Sequence, residues 1–594
     1  VLLLASACAT PIGVTRGDTQ AVYRTLSRSV LSAGEPSAAT EHALQRAGLA
    51  DRFEDDPTAT LELIRGSGVG LSRERLFALA ELSFLHADRT KQPEYYLAAA
   101  VYAYAFLFGN PAVADEGLDP RARLAADLYN LGLANALGRS GTDEVELTPR
   151  TLALPFGRLE LTGEPAELKW GSYVMTRFIS VGEYRVRGLR NRYRQPGIGA
   201  PLAAEVEPDT TTPRAAKYVP DRVKVAVTAF VRLDNVLEGI ASGRLHGRLE
   251  LYPADEATTV DIDGRRVPLE LEFTSTLAYA LEGAPVWDTE YGSFFKAQAS
   301  SRLVALHPYR PGRIPVVFIH GTASSPARWG EMLNELYNDP PLRNRLQFLF
   351  FQYSTSNPIL VSAADLRQSL HAVVKDVDPE GRDPALRQMV LIGHSQGGLL
   401  AQLMITTSEN RFWDGLTKVP FSEIKGSPEN RAFLQRAFFF EPLPFVNRTV
   451  FIATPHGGSF RVSTLVRAVV QKIVTLPVTM VKGIHDVAQQ NPDAVSLNAL
   501  GGIPTAVDNM LPNSRFIKTL AARPIAPGVT THSIIAVLGS GPVTGKTDGI
   551  VAYESAHLEG VASEKIVRSD HSTQGHPETI LEVRRILREH VAGR

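Results

Sequence analysis

Cys8 is the only cysteine among 594 residues, so no disulfide can form within the chain. Excess charge is also lacking. The formal net charge is −1, without the basic surplus that nucleic-acid binding demands. No stretch reaches the roughly 18 uninterrupted apolar residues of a spanning helix. No cluster of His, Cys, Asp and Glu has metal-ligand spacing and no phosphate-cradling glycine loop occurs, so no cofactor is expected. What is present is an ordinary globular composition, 44% apolar and 21% charged. At about 150 residues per domain, the length suits three or four domains, or one large fold with additions.

The single cysteine is informative by position. The apolar run Val1-Leu2-Leu3-Leu4 leads into Ala5-Ser6-Ala7-Cys8. This resembles the bacterial lipoprotein processing box, with Ala5 where leucine is usual. The resemblance implies that Cys8 is lipidated and that residues 1–14 are a signal-peptide remnant and tether, with the true start upstream of Val1. It further implies a membrane-anchored protein of the bacterial cell envelope. Ala9 after the cysteine resembles the outer-membrane sorting pattern.

Residues 15–145 read as helical. Ser72 is placed to cap a helix with Leu76, Leu79, Ala80 and Phe84 at i, i+3, i+4 spacing. Tyr95–Phe108 and Leu124–Leu137 follow, as a bundle or TPR-like array without a strict repeat. Residues 146–300 read as a β-rich module. Val223, Val225, Val227 and Ala229 alternate with polar residues, and Asp263-Gly264 lies between two strand-like runs. The densest basic run, Arg185, Arg187, Arg190, Arg192 and Arg194, reads as a solvated strand edge.

From residue 301 strand and helix patterns alternate, which predicts a parallel sheet covered on both faces. The decisive stretch lies within it. Met389-Val390-Leu391-Ile392 reads as a buried strand, Gly393-His394-Ser395-Gln396-Gly397 as a sharp turn and Gly398–Met404 as a helix. A G-x-S-x-G turn in that setting holds a serine in a strained conformation with its Oγ clear of the sheet.

The strand–elbow–helix unit and three further motifs, in the same chain order, resemble the α/β-hydrolase superfamily and, within it, bacterial lipases and esterases. The resemblance covers residues 305–594. It implies an α/β-hydrolase fold in the C-terminal half, a mostly parallel sheet covered by helices, preceded by the helical region and the β-rich module. It assigns Ser395 as nucleophile and, from His320-Gly321-Thr322 and the elbow, the Thr322 and Gln396 amides as oxyanion donors. Asp548 in Thr547-Asp548-Gly549-Ile550-Val551 corresponds to the acid, with Glu554 and Asp508 as rivals. His571 corresponds to the base, with His576 as rival. Thr454-Pro455-His456-Gly457-Gly458-Ser459 resembles a turn of lipase relatives, with His456 structural.

Two stretches, 408–447 and 460–530, are expected as lid or cap insertions. The implied activity is hydrolysis of small-molecule or lipid carboxylic esters through an acyl-enzyme. The alternatives are acyl transfer by the same residues, or an anchored interaction lipoprotein with a vestigial hydrolase. A protein partner of the N-terminal helices is not identified by the sequence.

Overall fold

Capping and apolar content shape the first third of the chain. Ser72 accepts a hydrogen bond from the Arg75 amide and starts the helix Arg73–Thr90. Pro93 stands in the first turn of the next helix, Pro93–Phe108, which is apolar on every side and buried. A third helix, Pro120–Ala136, packs along it. The computed structural model describes residues 12–593 apart from 67, 111–118, 164–168, 172, 209–216, 221–222, 283–300, 460–477 and 493–503, with the side chains of 478–482 also outside the description. Cys8 and residues 460–477 of the second expected insertion lie outside the described residues.

These helices cover an eight-stranded sheet. Its order is Glu144–Val145, Tyr173–Ser180, Ala200–Pro208, Lys224–Leu233, Arg244–Pro253, Gly157–Thr162 and Arg150–Leu154, with Lys169–Trp170 added beside Tyr173–Ser180. Neighbours are antiparallel except Gly157–Thr162 with Arg244–Pro253. Helices and strands share one core, running from Val30 through Tyr102 and Phe230 to Phe273. The boundary at 145/146 therefore marks a change of secondary structure and not a break in packing. Tyr129 exchanges two 2.8 Å hydrogen bonds with the Val231 backbone, fixing the third helix to the sheet. The alternation at 223–229 suggests a strand exposed on one face, but Thr228 is buried and donates to the Glu270 carbonyl.

The hairpin falls where Asp263-Gly264 places it. Thr259–Ile262 pairs with Arg265–Pro268, and both turn residues have positive φ, 52° and 77°. The basic run is a correction. Only Arg194 of the five lies in a strand, and Arg192 and Arg194 pair with the buried carboxylates of Glu272 and Glu270. All five are exposed, as expected, but Arg192 and Arg194 also offset the cost of two buried charges in the module.

The second body is a seven-stranded sheet. Its order is Arg302–Ala305, Leu346–Gln352, Ile314–Ile319, Met389–His394, Val446–Ile452, Thr530–Ala536 and Ser563–Val567. Only the first pairing is antiparallel. Within Ile314–Ile319 every residue is buried, because both faces are covered. Val316 and Phe318 pack with helices Gly330–Tyr337 and Pro577–Val591, while Val317 and Ile319 pack with Ile359–Val377 and Gln396–Met404. Each such side chain contributes about 2 kcal/mol of apolar burial. The parallel strands point the same way, so the loops after them gather at one edge.

The 408–447 stretch has a small core of its own. Trp413, Ile424 and Leu434 pack with Val487 from the helix Val478–Gln490, and Phe421, Phe438 and Phe439 close around the indole. Val487 of the second stretch thus joins an aromatic cluster formed by the first.

Candidate active site

Steric exclusion makes the elbow. Ser395 has φ 54° and ψ −122°, a conformation costing a non-glycine residue about 1–3 kcal/mol. It is held by the strands beside it, since the Ser395 amide donates to the Ile452 carbonyl at 2.8 Å. Glycine is required around it. A Cβ on Gly393 would lie 2.4 Å from the Gly397 carbonyl oxygen, and one on Gly397 would lie 2.2 Å from that of Ile319. A third position, Gly398, is equally constrained, 1.9 Å from Thr454 Oγ1.

The loop after Ser563–Val567 brings His571 over the serine. His571 Nε2 lies 2.9 Å from Ser395 Oγ, and its Nδ1 lies 2.6 Å from Asp548 Oδ2. A carboxylate only accepts, so Nδ1 carries the proton and Nε2 is free to accept the serine hydroxyl. Asp548 is buried, and its other oxygen accepts the Ile550 and Val551 amides at 2.8 and 2.7 Å. The Asp-Gly turn and the histidine contact are therefore both made by one carboxylate.

The rivals are engaged elsewhere. Glu554 is exposed and accepts from the Gly545 amide. Asp508 closes a capping box with Thr505. His576 caps the last helix, its ring accepting the Glu578 amide at 3.3 Å.

Thr322 and Gln396 meet across two loops. Thr322 Oγ1 donates to Gln396 Oε1 at 2.7 Å. Gln396 opens its helix, so its amide has no carbonyl one turn back to bond. Among the described residues no protein acceptor takes the amide hydrogen of either Thr322 or Gln396.

Three buried imidazoles surround these groups. His456 Nδ1 contacts Gln402 Oε1 at 2.9 Å, tying its turn to the serine helix. Burial lowers its pKa to about 3, so it is neutral. The His320 ring packs against Tyr353 at a 30° tilt, and burial lowers its pKa to about 4. His394 was not singled out by sequence reasoning. Its Nε2 lies 2.8 Å from the His571 carbonyl, and burial, aided by the neighbouring His571, lowers its pKa to about 3. The signal was the residue's place inside the elbow, but its partner is 177 positions away.

Residues 316–583 match the family model described as the alpha/beta hydrolase family. The C-terminal half of this chain is an α/β-hydrolase domain. No curated protein matches the sequence. Among solved structures, the mature lipase BlEst2 of Bacillus licheniformis is 16% identical over 48% of this chain and 97% of its own, with a TM-score of 0.28. Propionate-bound Est2, an esterase from Thermogutta terrifontis, is 13% identical over 50% of this chain and 92% of its own, with a TM-score of 0.27. A lipase-esterase related protein of Clostridium acetobutylicum is 12% identical over 49% of this chain and 100% of its own, with a TM-score of 0.23. Likenesses this distant say nothing of this hydrolase domain's substrate.

Proposed function

We propose that this α/β-hydrolase is a serine hydrolase of carboxylic esters that works through an acyl-enzyme. The observation that carries the reading is the hydrogen-bonded series Ser395 Oγ, His571 Nε2, His571 Nδ1, Asp548 Oδ2, at 2.9 and 2.6 Å, on a serine held at positive φ.

His571 Nε2 takes the Ser395 proton as Oγ bonds to the ester carbonyl carbon. The carbonyl electron pair moves onto oxygen, where the Thr322 and Gln396 amides donate to it. On collapse the C–O bond to the alcohol breaks, and the imidazolium returns its proton to that oxygen. Water then attacks the acyl-enzyme with His571 again as base, releasing the acid and restoring Ser395. Asp548 holds the imidazole tautomer and stabilises its cation. Each step balances with water as the only co-substrate.

Ser395→Ala tests the reading. It removes one small group, so the fold should persist while ester turnover falls about 10⁴-fold or more. Near-normal turnover would remove Ser395 from the mechanism. A series of p-nitrophenyl esters of increasing chain length would then define the acyl preference.

The same proposal sets the enzyme at a bacterial envelope through lipidated Cys8, supported by Ala5-Ser6-Ala7-Cys8. A thioether diacylglycerol and an amide-linked acyl chain give more than one hydrocarbon anchor, which holds a protein on a membrane where a single chain binds marginally. Among the described residues no helix is long and apolar enough to cross a membrane.

A further inference from the structure

Two amides from loops 74 residues apart must converge on one oxygen, and such convergence needs a brace. Four hydrogen-bonding residues supply one. Thr322 Oγ1 donates to Gln396 Oε1 at 2.7 Å, and Gln396 Nε2 donates to the Thr355 carbonyl at 3.2 Å. Thr355 Oγ1 accepts the Ala323 amide, also at 3.2 Å, and Ala323 is bonded in the chain to Thr322. The ring is closed. It joins the loop after Ile314–Ile319, the loop after Leu346–Gln352 and the first residue of the serine helix.

Ala323 shows why the ring is needed. It has φ 49°, an unfavourable conformation for a residue with a Cβ. Its geometry fixes the peptide that follows Thr322, and the Thr355 hydroxyl is the side chain that bonds its amide. Thr355 and Gln396 are fully buried, so water does not compete for these contacts.

We propose that Thr355 is a positioning residue that holds the Thr322 and Gln396 amides on a common point. The proposal rests on the reading of those amides as oxyanion donors. The hydrogen bonds of Thr355 go to Ala323 and Gln396 and not to Ser395, His571 or Asp548. It acts by sparing the amides any reorganisation when charge develops between them.

Thr355→Val keeps shape and the main-chain carbonyl but removes the acceptor for Ala323. Thr355→Ser keeps the acceptor. For T355V, kcat should fall roughly 10- to 100-fold with KM nearly unchanged, because the contact matters only in the transition state. Affinity for phenylboronic acid, which makes a tetrahedral adduct with the serine, should fall in parallel. The pH midpoint of the rate should stay at the wild-type value, since His571 and Asp548 are untouched. T355S should recover most of both losses. Wild-type kcat and boronate affinity in T355V, or equal impairment of T355S, would overturn the proposal. If T355V does not fold, Thr322→Val breaks the ring at its other side and keeps the Thr322 amide. It should show the same pattern, and normal behaviour would likewise overturn the proposal. Ser395→Ala measured beside these variants separates the two failures. Activity retained there refutes the serine mechanism, whereas loss there with normal T355V refutes only the brace.

Discussion

The ring of His394 bonds the main chain of His571. Its Nε2 lies 2.8 Å from the His571 carbonyl, and the two rings sit 5.0 Å apart. A neutral His394 can donate there, because the carbonyl only accepts. The residue before Ser395 therefore holds the loop that carries His571. His394→Phe fills similar space without the donor. It should lower kcat about tenfold or more and slow phosphonylation of Ser395 equally, while His394→Gln should retain part of each rate. Stopped-flow kinetics with both variants checks this, and a His394→Phe enzyme with full kcat would contradict it.

The two histidines near the C-terminus should separate cleanly. His571→Ala should be almost as damaging as Ser395→Ala, since nucleophile and base act as one unit. His576→Ala should keep turnover within a few fold and lose about 1 kcal/mol of stability with its helix cap. Steady-state rates and chemical denaturation of both variants provide the comparison. The reverse ordering of rates would reassign the base to His576.

The buried imidazoles predict acid lability. Burial brings His307 and His320 to about 4, and His394 and His456 to about 3, below the ordinary histidine value. An unfolded chain binds protons there below about pH 6.5 that the folded chain refuses until pH 3–4. Stability is thus complete above about pH 6.5 and is lost as pH falls, by about 2 kcal/mol per group at pH 5. Thermal melts should show Tm falling between pH 6.5 and 4, less steeply in His456→Gln. A Tm constant across that window would count against neutral buried histidines.

Attachment through Cys8 is tested by fractionation. The full-length protein should partition with membranes, and Cys8→Ser should appear in the soluble periplasmic or secreted fraction. Equal distribution of both forms would sink the lipid anchor and leave the esterase reading untouched.

Which features were legible follows from their physics. Ile314–Ile319 and Met389–His394 are buried on both faces, so they appear as continuous apolar runs. The edge strands Arg302–Ala305 and Ser563–Val567 are short and partly polar, and sequence pattern did not reveal them. Ser395, Asp548 and His571 sit in local motifs and could be named in advance. Thr355 and His394 are defined by contacts 32 and 177 residues away, which no local period encodes. Glu270 and Glu272 are a further case in which the partner lies far along the chain. Both are buried and pair with Arg194 and Arg192, 76 and 80 residues earlier, which no local period encodes.

On the proposed mechanism Ser395 is a nucleophile activated by His571. The most direct test is to treat the folded protein with a fluorophosphonate probe and identify the modified residue by peptide mass spectrometry. Stoichiometric labelling of Ser395 is expected, abolished in Ser395→Ala and strongly slowed in His571→Ala. A folded protein that takes no label, or takes it at another serine, would contradict it.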